Sequence, residues 1–309
     1  PNAAYGIWME NTDSIFCRNN TIIKDSTHTT ASFWGIWLGQ AFGRCEVTNN
    51  TILLRKGQTS SNTSIGILVQ PNGSSAEAVA TQVFIRKNTI RIDSIFSIPA
   101  TTTVGTWTGI TLSSPWANNA GTLQQMRCIV DSNIIENSVL QGSGNFTGFQ
   151  LNGNSSAGNP ARTYFVDNIM RNIRRNAIGS SSQIVGVVAQ SFVDSIVISR
   201  NTFDNIRCDV LTASANNWNC LPIWTNNMTS TSLLLNVIIS NNTVSNIFVT
   251  GLTTGGFHQI GSQIGGFRHQ IFNNRIRNCY IRATPAAGQS GGGTILGLFI
   301  TANSPGMQI

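Results

Sequence analysis

Short segments in which apolar and polar residues alternate recur along the whole chain, and stretches rich in Ser, Thr, Gly and Asn separate them. Alternation with a period of two residues predicts β-strands that bury one face. No segment of useful length shows the apolar spacing of a helix. The pattern therefore predicts an all-β protein made of short strands.

One phrase returns in almost every segment: an alternating apolar run, an Asn, usually a Thr, and then an aliphatic residue. It reads CRNNTII ending at Ile23, ISRNTFDN ending at Asn205 and IFNNRIRN ending at Asn278. The aligned asparagines are Asn20, Asn50, Asn88, Asn133, Asn168, Asn201, Asn242 and Asn274, with spacings of 30, 38, 45, 35, 33, 41 and 32 residues. The position two residues after each Asn is always apolar: Ile22, Ile52, Ile90, Ile135, Met170, Phe203, Val244 and Ile276.

A second phrase, Gly followed by an alternating apolar run, precedes each Asn phrase. It reads GIWM from Gly6 and GITL from Gly109, with the variants PIWT from Pro222 and GFHQ from Gly256. Two phrases that keep one order through the chain indicate a solenoid of stacked coils. Residues 1–309 are predicted to form one domain, a right-handed parallel β-helix of about nine coils. A third, less regular strand would close each coil.

The aligned asparagines predict a ladder along the axis of this solenoid. Asn tolerates the left-handed backbone region at a sharp turn, and its side-chain amide can donate to the same residue of the next coil. A second column lies four residues further on in the later coils, at Asn137, Asn172, Asn205, Asn246 and Asn278.

The six cysteines lack the close pairing typical of metal sites. Most are interpreted as core residues, because Cys17, Cys45 and Cys128 fall at predicted inward positions. Cys208 and Cys220 form a disulfide only if the compartment is oxidising. His269 also falls at an inward position, where we expect a histidine with satisfied hydrogen bonds.

These repeats resemble the parallel β-helix repeats of the pectin-lyase-like superfamily. The alternation of NNTI and GI-x-L phrases further resembles large repeat-rich secreted surface proteins of Bacteroidetes-type bacteria. The resemblance covers residues 1 to about 302 and implies a fold. Lyases, hydrolases, adhesins and tailspikes share that fold, so it implies no single function.

The net charge of +7 is compatible with acidic partners. However, the chain has neither a dense basic block nor a recognisable nucleic-acid-binding module, and no apolar run reaches the length of a membrane span. We therefore predict neither nucleic-acid binding nor membrane insertion. The chain starts and stops inside the repeat pattern, which suggests a segment of a longer polypeptide.

Catalytic chemistry finds little support in the sequence. Paired carboxylates at matching positions of neighbouring coils would suit glycoside hydrolysis, but the acids are scattered, and only Asp131 and Asp167 fall near each other. The triplet Asn11-Thr12-Asp13 resembles part of a polygalacturonase motif whose other parts are missing. We predict no catalytic residue, no cofactor and no metal site, and an enzyme, such as a polysaccharide lyase or glycoside hydrolase, remains the less favoured alternative.

The outward column of the Gly-led strand carries the candidate binding residues. Alignment on the Gly phrase places Trp8, Trp37, Leu68, Thr111, Gln150, Val188, Trp224, His258 and Phe299 in this column. A row of exposed aromatic side chains would suit stacking on sugars or contact with a protein. Trp8, Trp37, Trp224 and His258 are therefore the predicted ligand- or partner-binding residues. Alternatively, long turns of the chain cover this face.

The sequence favours a non-enzymatic structural or adhesive β-helix segment of a cell-surface stalk or fibre, located outside the cell. The expected partners are other copies or flanking domains that stack end to end, and surface glycans are a further candidate. The alternative is a carbohydrate-active enzyme or glycan-binding module that acts along one face of the helix.

Overall fold

A computed structural model describes most of the chain in strands. It covers residues 4–10, 14–24, 32–41, 43–56, 63–71, 82–94, 105–113, 126–141, 144–152, 161–177, 183–190, 195–210, 218–229, 236–251, 256–265, 268–283 and 294–300. Within these ranges there are 25 strands and no helix. The Ser/Thr/Gly/Asn-rich segments that the sequence predicts as surface turns lie largely outside these ranges.

The strands form three parallel sheets, and along the chain every third strand joins the same sheet. Sheet 1 contains β1 (Ala4–Glu10), β4 (Phe33–Ala41), β7 (Ser64–Pro71), β10 (Trp107–Ser113), β13 (Phe146–Asn152), β16 (Ile184–Gln190), β19 (Trp218–Thr229), β22 (Gly256–Gly265) and β25 (Thr294–Ile300). Sheet 2 contains β2 (Phe16–Arg18), β5 (Arg44–Thr48), β8 (Gln82–Arg86), β11 (Met126–Asp131), β14 (Ala161–Val166), β17 (Ser195–Ser199), β20 (Asn236–Ser240) and β23 (Arg268–Phe272). Sheet 3 contains β3 (Thr21–Lys24), β6 (Thr51–Lys56), β9 (Thr89–Ser94), β12 (Ile134–Gln141), β15 (Ile169–Ala177), β18 (Thr202–Val210), β21 (Thr243–Gly251) and β24 (Arg275–Ala283).

This topology confirms the predicted parallel β-helix solenoid. Sheet 1 has nine strands and sheets 2 and 3 have eight each, which agrees with about nine coils. The third strand of each coil is the one that begins directly after the ladder Asn, and from β3 to β24 it is always longer than the strand before it.

The core lies inside the three sheets, where the predicted apolar columns stack in register. Among the residues that follow the ladder asparagines, seven are buried, but Ile276 in the last strand of sheet 3 is 37% exposed. Its neighbour Val244 covers one side of it only, because β24 ends its sheet.

The glycines of the second phrase are required because the structure leaves no room for a Cβ atom at their position. A Cβ atom on Gly109 would lie 2.6 Å from the carbonyl oxygen of Gly148 in the next coil and 2.3 Å from Cδ1 of Ile135 in sheet 3. Both distances are far below normal contact, and the backbone atom cannot turn away. Gly at this position therefore leaves room for the backbone of the next coil and for a core side chain of sheet 3.

The asparagine ladder is present along all eight coils that contain these residues, and each internal side chain contacts three coils. The Oδ1 atom of an Asn accepts from the backbone N–H of the Asn one coil earlier, at 3.0–3.1 Å, and from its Nδ2 group, at 2.9–3.0 Å. From Asn50 onwards, Nδ2 also donates to a backbone carbonyl of the preceding coil, at 2.8–3.0 Å.

The structure corrects the expected backbone conformation of the ladder. None of the ladder asparagines has a positive φ; instead, the residue directly before each one does, with φ between 54° and 57°. This position is held by Asn19 and Asn49 but also by Lys87 and Arg200. The ladder Asn is therefore selected for its buried amide hydrogen bonds, and its neighbour makes the sharp turn.

The second Asn column does adopt the left-handed conformation, with φ between 51° and 56°. Its side chains are more exposed, and they donate in the opposite direction. Asn172 donates to Asn137 at 2.9 Å, and Asn205 donates to Asn172 at 2.8 Å. The column is interrupted where Asn246 donates to Asp204 instead.

All six cysteines are free, so Cys208 and Cys220 do not form a disulfide. Five of them are buried, and Cys279 is partly buried. Their role in the structure is that of small apolar core residues, in agreement with the interpretation of most of them from the sequence.

We predict that Asn168→Ala destabilises the fold strongly, because it leaves buried donors and acceptors of two adjacent coils unpaired. Unpaired buried groups cost about 1–3 kcal/mol each, so we expect a loss of roughly 3–5 kcal/mol in the free energy of unfolding. Urea unfolding measures this loss. The control is Asn172→Gly, which keeps the left-handed turn and loses only exposed hydrogen bonds; an equal loss in both variants contradicts the assigned role of the ladder.

Candidate functional site

Four aromatic rings form a cluster on the outer side of sheet 1, in its first two strands. The ring centroids of Tyr5 and Trp34 are 4.8 Å apart, those of Tyr5 and Trp8 are 5.0 Å apart, and those of Trp8 and Trp37 are 5.3 Å apart. The planes are inclined to one another by 25–35°. We call these four residues the aromatic cluster.

The register of β1 and β4 explains this cluster. Tyr5 pairs with Trp34 and Trp8 with Trp37, so two outward columns run on either side of the Gly position. The sequence prediction used only the column after Gly and missed Tyr5 and Trp34. The missed signal is the aromatic residue that directly precedes Gly6 and Gly35.

Trp8 is the accessible member of the aromatic cluster. It is 56% exposed, whereas the other three rings are partly buried. Trp37 is held in place, because its Nε1 group donates to Oε1 of Gln70 at 2.7 Å. The arrangement presents one exposed indole beside three partly buried rings, one of which is held by a hydrogen bond, and this suits contact with a flat apolar surface.

Further along sheet 1 most described positions of the same outward columns are buried, although Gln150 is partly exposed. Leu68, Thr111, Val188 and Trp224 are each at most 9% exposed. Val185, Val188, Leu221 and Trp224 form a hydrophobic cluster separate from the main core. These described positions are therefore buried, and the long turns that the sequence alternative would place over this face lie outside the described residues.

The structure separates the predicted binding residues. It brings Trp8 and Trp37 together, but Trp224 lies six strands away from Trp8, roughly 30 Å along the axis. His258 is not in the column, because Trp224 pairs with Gly261. The alignment on Gly256 was wrong: Ile260 pairs with Ile223, so the buried Gln259 takes the Gly position of this coil.

The carboxylates on sheets 2 and 3 are largely engaged by arginines. Both oxygens of Asp167 accept from Arg200 at 2.8 Å, and Oε2 of Glu136 accepts from Arg171 at 2.7 Å. Glu46 binds both Arg18 and Arg44. These contacts join neighbouring coils or alternate residues of one strand.

Asp131 carries a carboxyl group whose pKa is raised above its ordinary value. Burial is the largest cause, and the nearby Asp167 raises the pKa further, while Arg86, whose Nε lies 2.9 Å from Oδ1, opposes the shift. A raised pKa would suit a general acid. However, its neighbour Asp167 is bound at both oxygens by Arg200, so the two acids do not form a free acid–base pair.

Among the described residues, no group of three or more His, Cys, Asp or Glu side chains is placed to hold a metal ion. Burial also raises the pKa of the Cys17 and Cys208 thiols to about 11, which keeps them protonated. A protonated thiol is a poor metal ligand and a poor nucleophile.

His269 is buried in the core in line with Val237, as predicted. Contrary to the expectation of satisfied hydrogen bonds, neither ring nitrogen has a partner among the described residues. Burial lowers its pKa from the ordinary value of 6.5. The neutral form is therefore the one that the fold accommodates.

No protein-family model, curated protein or solved structure matches this chain. In the part of the chain that the structure describes, no helix is long and apolar enough to cross a bilayer.

We predict that His269 makes the fold sensitive to acid. Because its folded-state pKa is lowered, the unfolded chain binds more protons once the pH falls below about 6.5, and stability is lost in that range. His269→Leu removes this effect and the unpaired buried nitrogens. We expect the variant to melt at a higher temperature than the parent, by a margin that widens below pH 6.5. The control is Gln270→Leu, which alters no titratable group, so its difference in melting temperature from the parent should be the same at every pH. A difference for His269→Leu that does not change with pH would contradict the assignment.

Proposed function

We propose that this chain is a non-enzymatic structural and adhesive β-helix segment of a stalk or fibre on the outside of the cell. The observation that carries the proposal is that its polar side chains are used to join coils. The buried asparagines form one continuous ladder, and the carboxylates that catalysis would need are bound by arginines. A rigid rod of this kind suits a load-bearing or presenting role.

The distribution of exposed apolar side chains supports association through the ends of the rod. Among the described residues, the large exposed apolar side chains of the first coil are Trp8, Phe16 and Ile23, and those of the last two coils are Phe272, Ile276, Tyr280 and Leu298. Of the described residues, Val139 is the one that lies between the two groups. A further coil stacked on either end, whether from the same polypeptide, a flanking domain or another copy, would cover these side chains. End-to-end stacking on flanking domains or other molecules is part of the proposal.

The resemblance to repeat-rich surface proteins of the Bacteroidetes type, within the pectin-lyase-like superfamily, agrees with this role. Proteins of that kind are secreted and stay at the cell surface. Membership of either group is part of the proposal.

Two measurements test the function together. Antibody labelling of intact and permeabilised cells that make the protein should show label on intact cells. Purified protein should release no reducing ends or unsaturated products from neutral and acidic polysaccharides. Label that needs permeabilisation contradicts the location. Product formation that Asp131→Asn or Asp167→Asn abolishes contradicts the non-enzymatic role.

A second candidate function is glycan binding by the aromatic cluster, and the exposed ring of Trp8 at the end of the stack is the observation that favours it. The apolar face of a sugar ring can stack on such an indole.

We expect the double variant Trp8→Ala, Trp37→Ala to lose affinity for a retained polysaccharide by about tenfold, since each aromatic contact contributes roughly 0.5–1.5 kcal/mol. Affinity electrophoresis in gels that contain single polysaccharides measures this change. The control is Trp224→Ala, in which a buried indole is removed. The control variant should melt at a lower temperature, but at temperatures where it is folded the polysaccharide should retain it as strongly as the parent. If the double variant is retained as strongly as the parent, glycan binding by the aromatic cluster is contradicted.

A further inference from the structure

The outer face of sheet 2 carries an apolar stripe in the middle of the rod. The central outward residues of the five successive strands from β8 to β20 are apolar, paired in register and partly exposed: Phe84, Ile129, Tyr164, Val197 and Ile238. We call these five residues the sheet 2 stripe. In the same column Glu46 precedes the stripe and Gln270 follows it. Described strands of sheet 2 therefore flank the stripe on both sides, and its exposure is that of a lateral face.

The two sides of the sheet 2 stripe differ in charge. The outward residues two positions before it form a leading column that contains two arginines and no acid: Gln82, Arg127, Arg162, Ser195 and Asn236. The outward residues two positions after it form a trailing column that contains an acid: Arg86, Asp131, Val166, Ser199 and Ser240.

Arg127 is the cation of the leading column that lies closest to the sheet 2 stripe in an observed contact. Its guanidinium carbon is 5.5 Å from the centroid of the Tyr164 ring, and the residue is exposed. Within the described part of the molecule it makes no ion pair. Arg127 is therefore available to an acid that approaches this face from outside.

A second copy of this chain can pack face to face on sheet 2 in two twofold arrangements. If the twofold axis is parallel to the rod, both rods point the same way, and the leading column of each copy faces the trailing column of the other. Arg127 of each copy then lies opposite Asp131 of the other copy. If the axis runs along the strands, the rods are antiparallel and the two leading columns face each other. Full overlap of the stripes then places Arg162 opposite itself, so charge complementarity favours the parallel arrangement.

The size of the face is sufficient for a specific contact. The seven strands from β5 to β23, each about five residues long, present roughly 550 Å² of flat area per copy at about 3.3 Å per residue and about 4.8 Å between strands. Two copies would bury roughly 1,100 Å² in total, which exceeds the approximately 1,000 Å² expected of a specific interface. In the parallel arrangement each residue of the sheet 2 stripe also lies opposite the same residue of the other copy, so apolar side chains meet along its whole length.

We propose that two copies of this chain associate side by side, parallel and in register, through the outer faces of sheet 2. The sheet 2 stripe forms the apolar centre of the contact, and the two symmetry-related pairs of Arg127 with Asp131 fix its direction and register. A twofold contact closes at two copies. The inference therefore goes beyond the proposed end-to-end association, because it uses a lateral face and pairs the rods.

Sedimentation equilibrium of the purified whole chain tests this inference. Arg127→Glu places acids opposite each other in both pairs, and Asp131→Arg places arginines opposite each other. We expect each variant to dimerise at least about tenfold more weakly than the parent. An equimolar mixture of the two variants should form mixed dimers with an affinity close to that of the parent, because every pair then joins an acid to an arginine. The control is Arg174→Glu, an exposed arginine on the outer face of sheet 3, which should dimerise like the parent.

A second variant keeps the contact between Arg86 and Asp131 intact. Val197→Lys places a lysine opposite itself in the middle of the sheet 2 stripe, and we expect the folded variant to be monomeric. Thermal melting followed by circular dichroism identifies the variants that fold like the parent.

Three results would overturn the proposal. A parent chain that stays monomeric at its highest soluble concentration overturns self-association and leaves this face to a different polypeptide. Association that neither Val197→Lys nor the charge variants change overturns the assigned face, since end-to-end contacts do not involve it. Folded charge variants that stay monomeric after mixing overturn the parallel arrangement.

Discussion

The fold depends on one interaction, the carboxamide hydrogen bonds that each buried ladder Asn makes with the coils before and after it. At each of these corners the chain turns sharply, and the turn brings polar backbone groups into the interior. A carboxamide offers both a donor and an acceptor, so one side chain satisfies a carbonyl of the preceding coil and the N–H group of the preceding Asn. Burial of unpaired groups at this corner would be costly. The ladder asparagines of successive coils therefore stay in register at this corner, and differences in coil length are accommodated elsewhere in the coil.

The sequence predicts the part of the fold that repeats with identical chemistry. A ladder needs the same residue at the same place, so Asn133 and Asn168 could be aligned without a structure. The turn residue before them needs only a left-handed backbone, which Ser132 and Asp167 can also adopt. Its identity therefore varies, and the sequence did not reveal its role. Alignment on Gly failed at Gly256 because the position that Gly holds in most other coils is held in this coil by Gln259.

The candidate site was harder to predict, because alternation along a strand tells which side chains point outward but not what covers them. Trp8 and Trp224 look equivalent in sequence, yet one is 56% exposed and the other 9%. The pairing of acids with arginines is similarly invisible, since Arg200 and Asp167 are 33 residues apart in the chain and become neighbours only through the register of the coils. Long-range pairing of this kind decides whether a carboxylate is available for chemistry.

The ladder also gives the rod a polarity. Every buried carboxamide points its Nδ2 group toward the later coil and its Oδ1 atom toward the earlier one. A coil stacked before Asn20 would therefore meet an acceptor, and a coil stacked after Asn274 would meet a donor. Two identical ends brought together by a twofold axis would face donor to donor or acceptor to acceptor. A fibre that prolongs the column can consequently grow only with all of its subunits facing the same way.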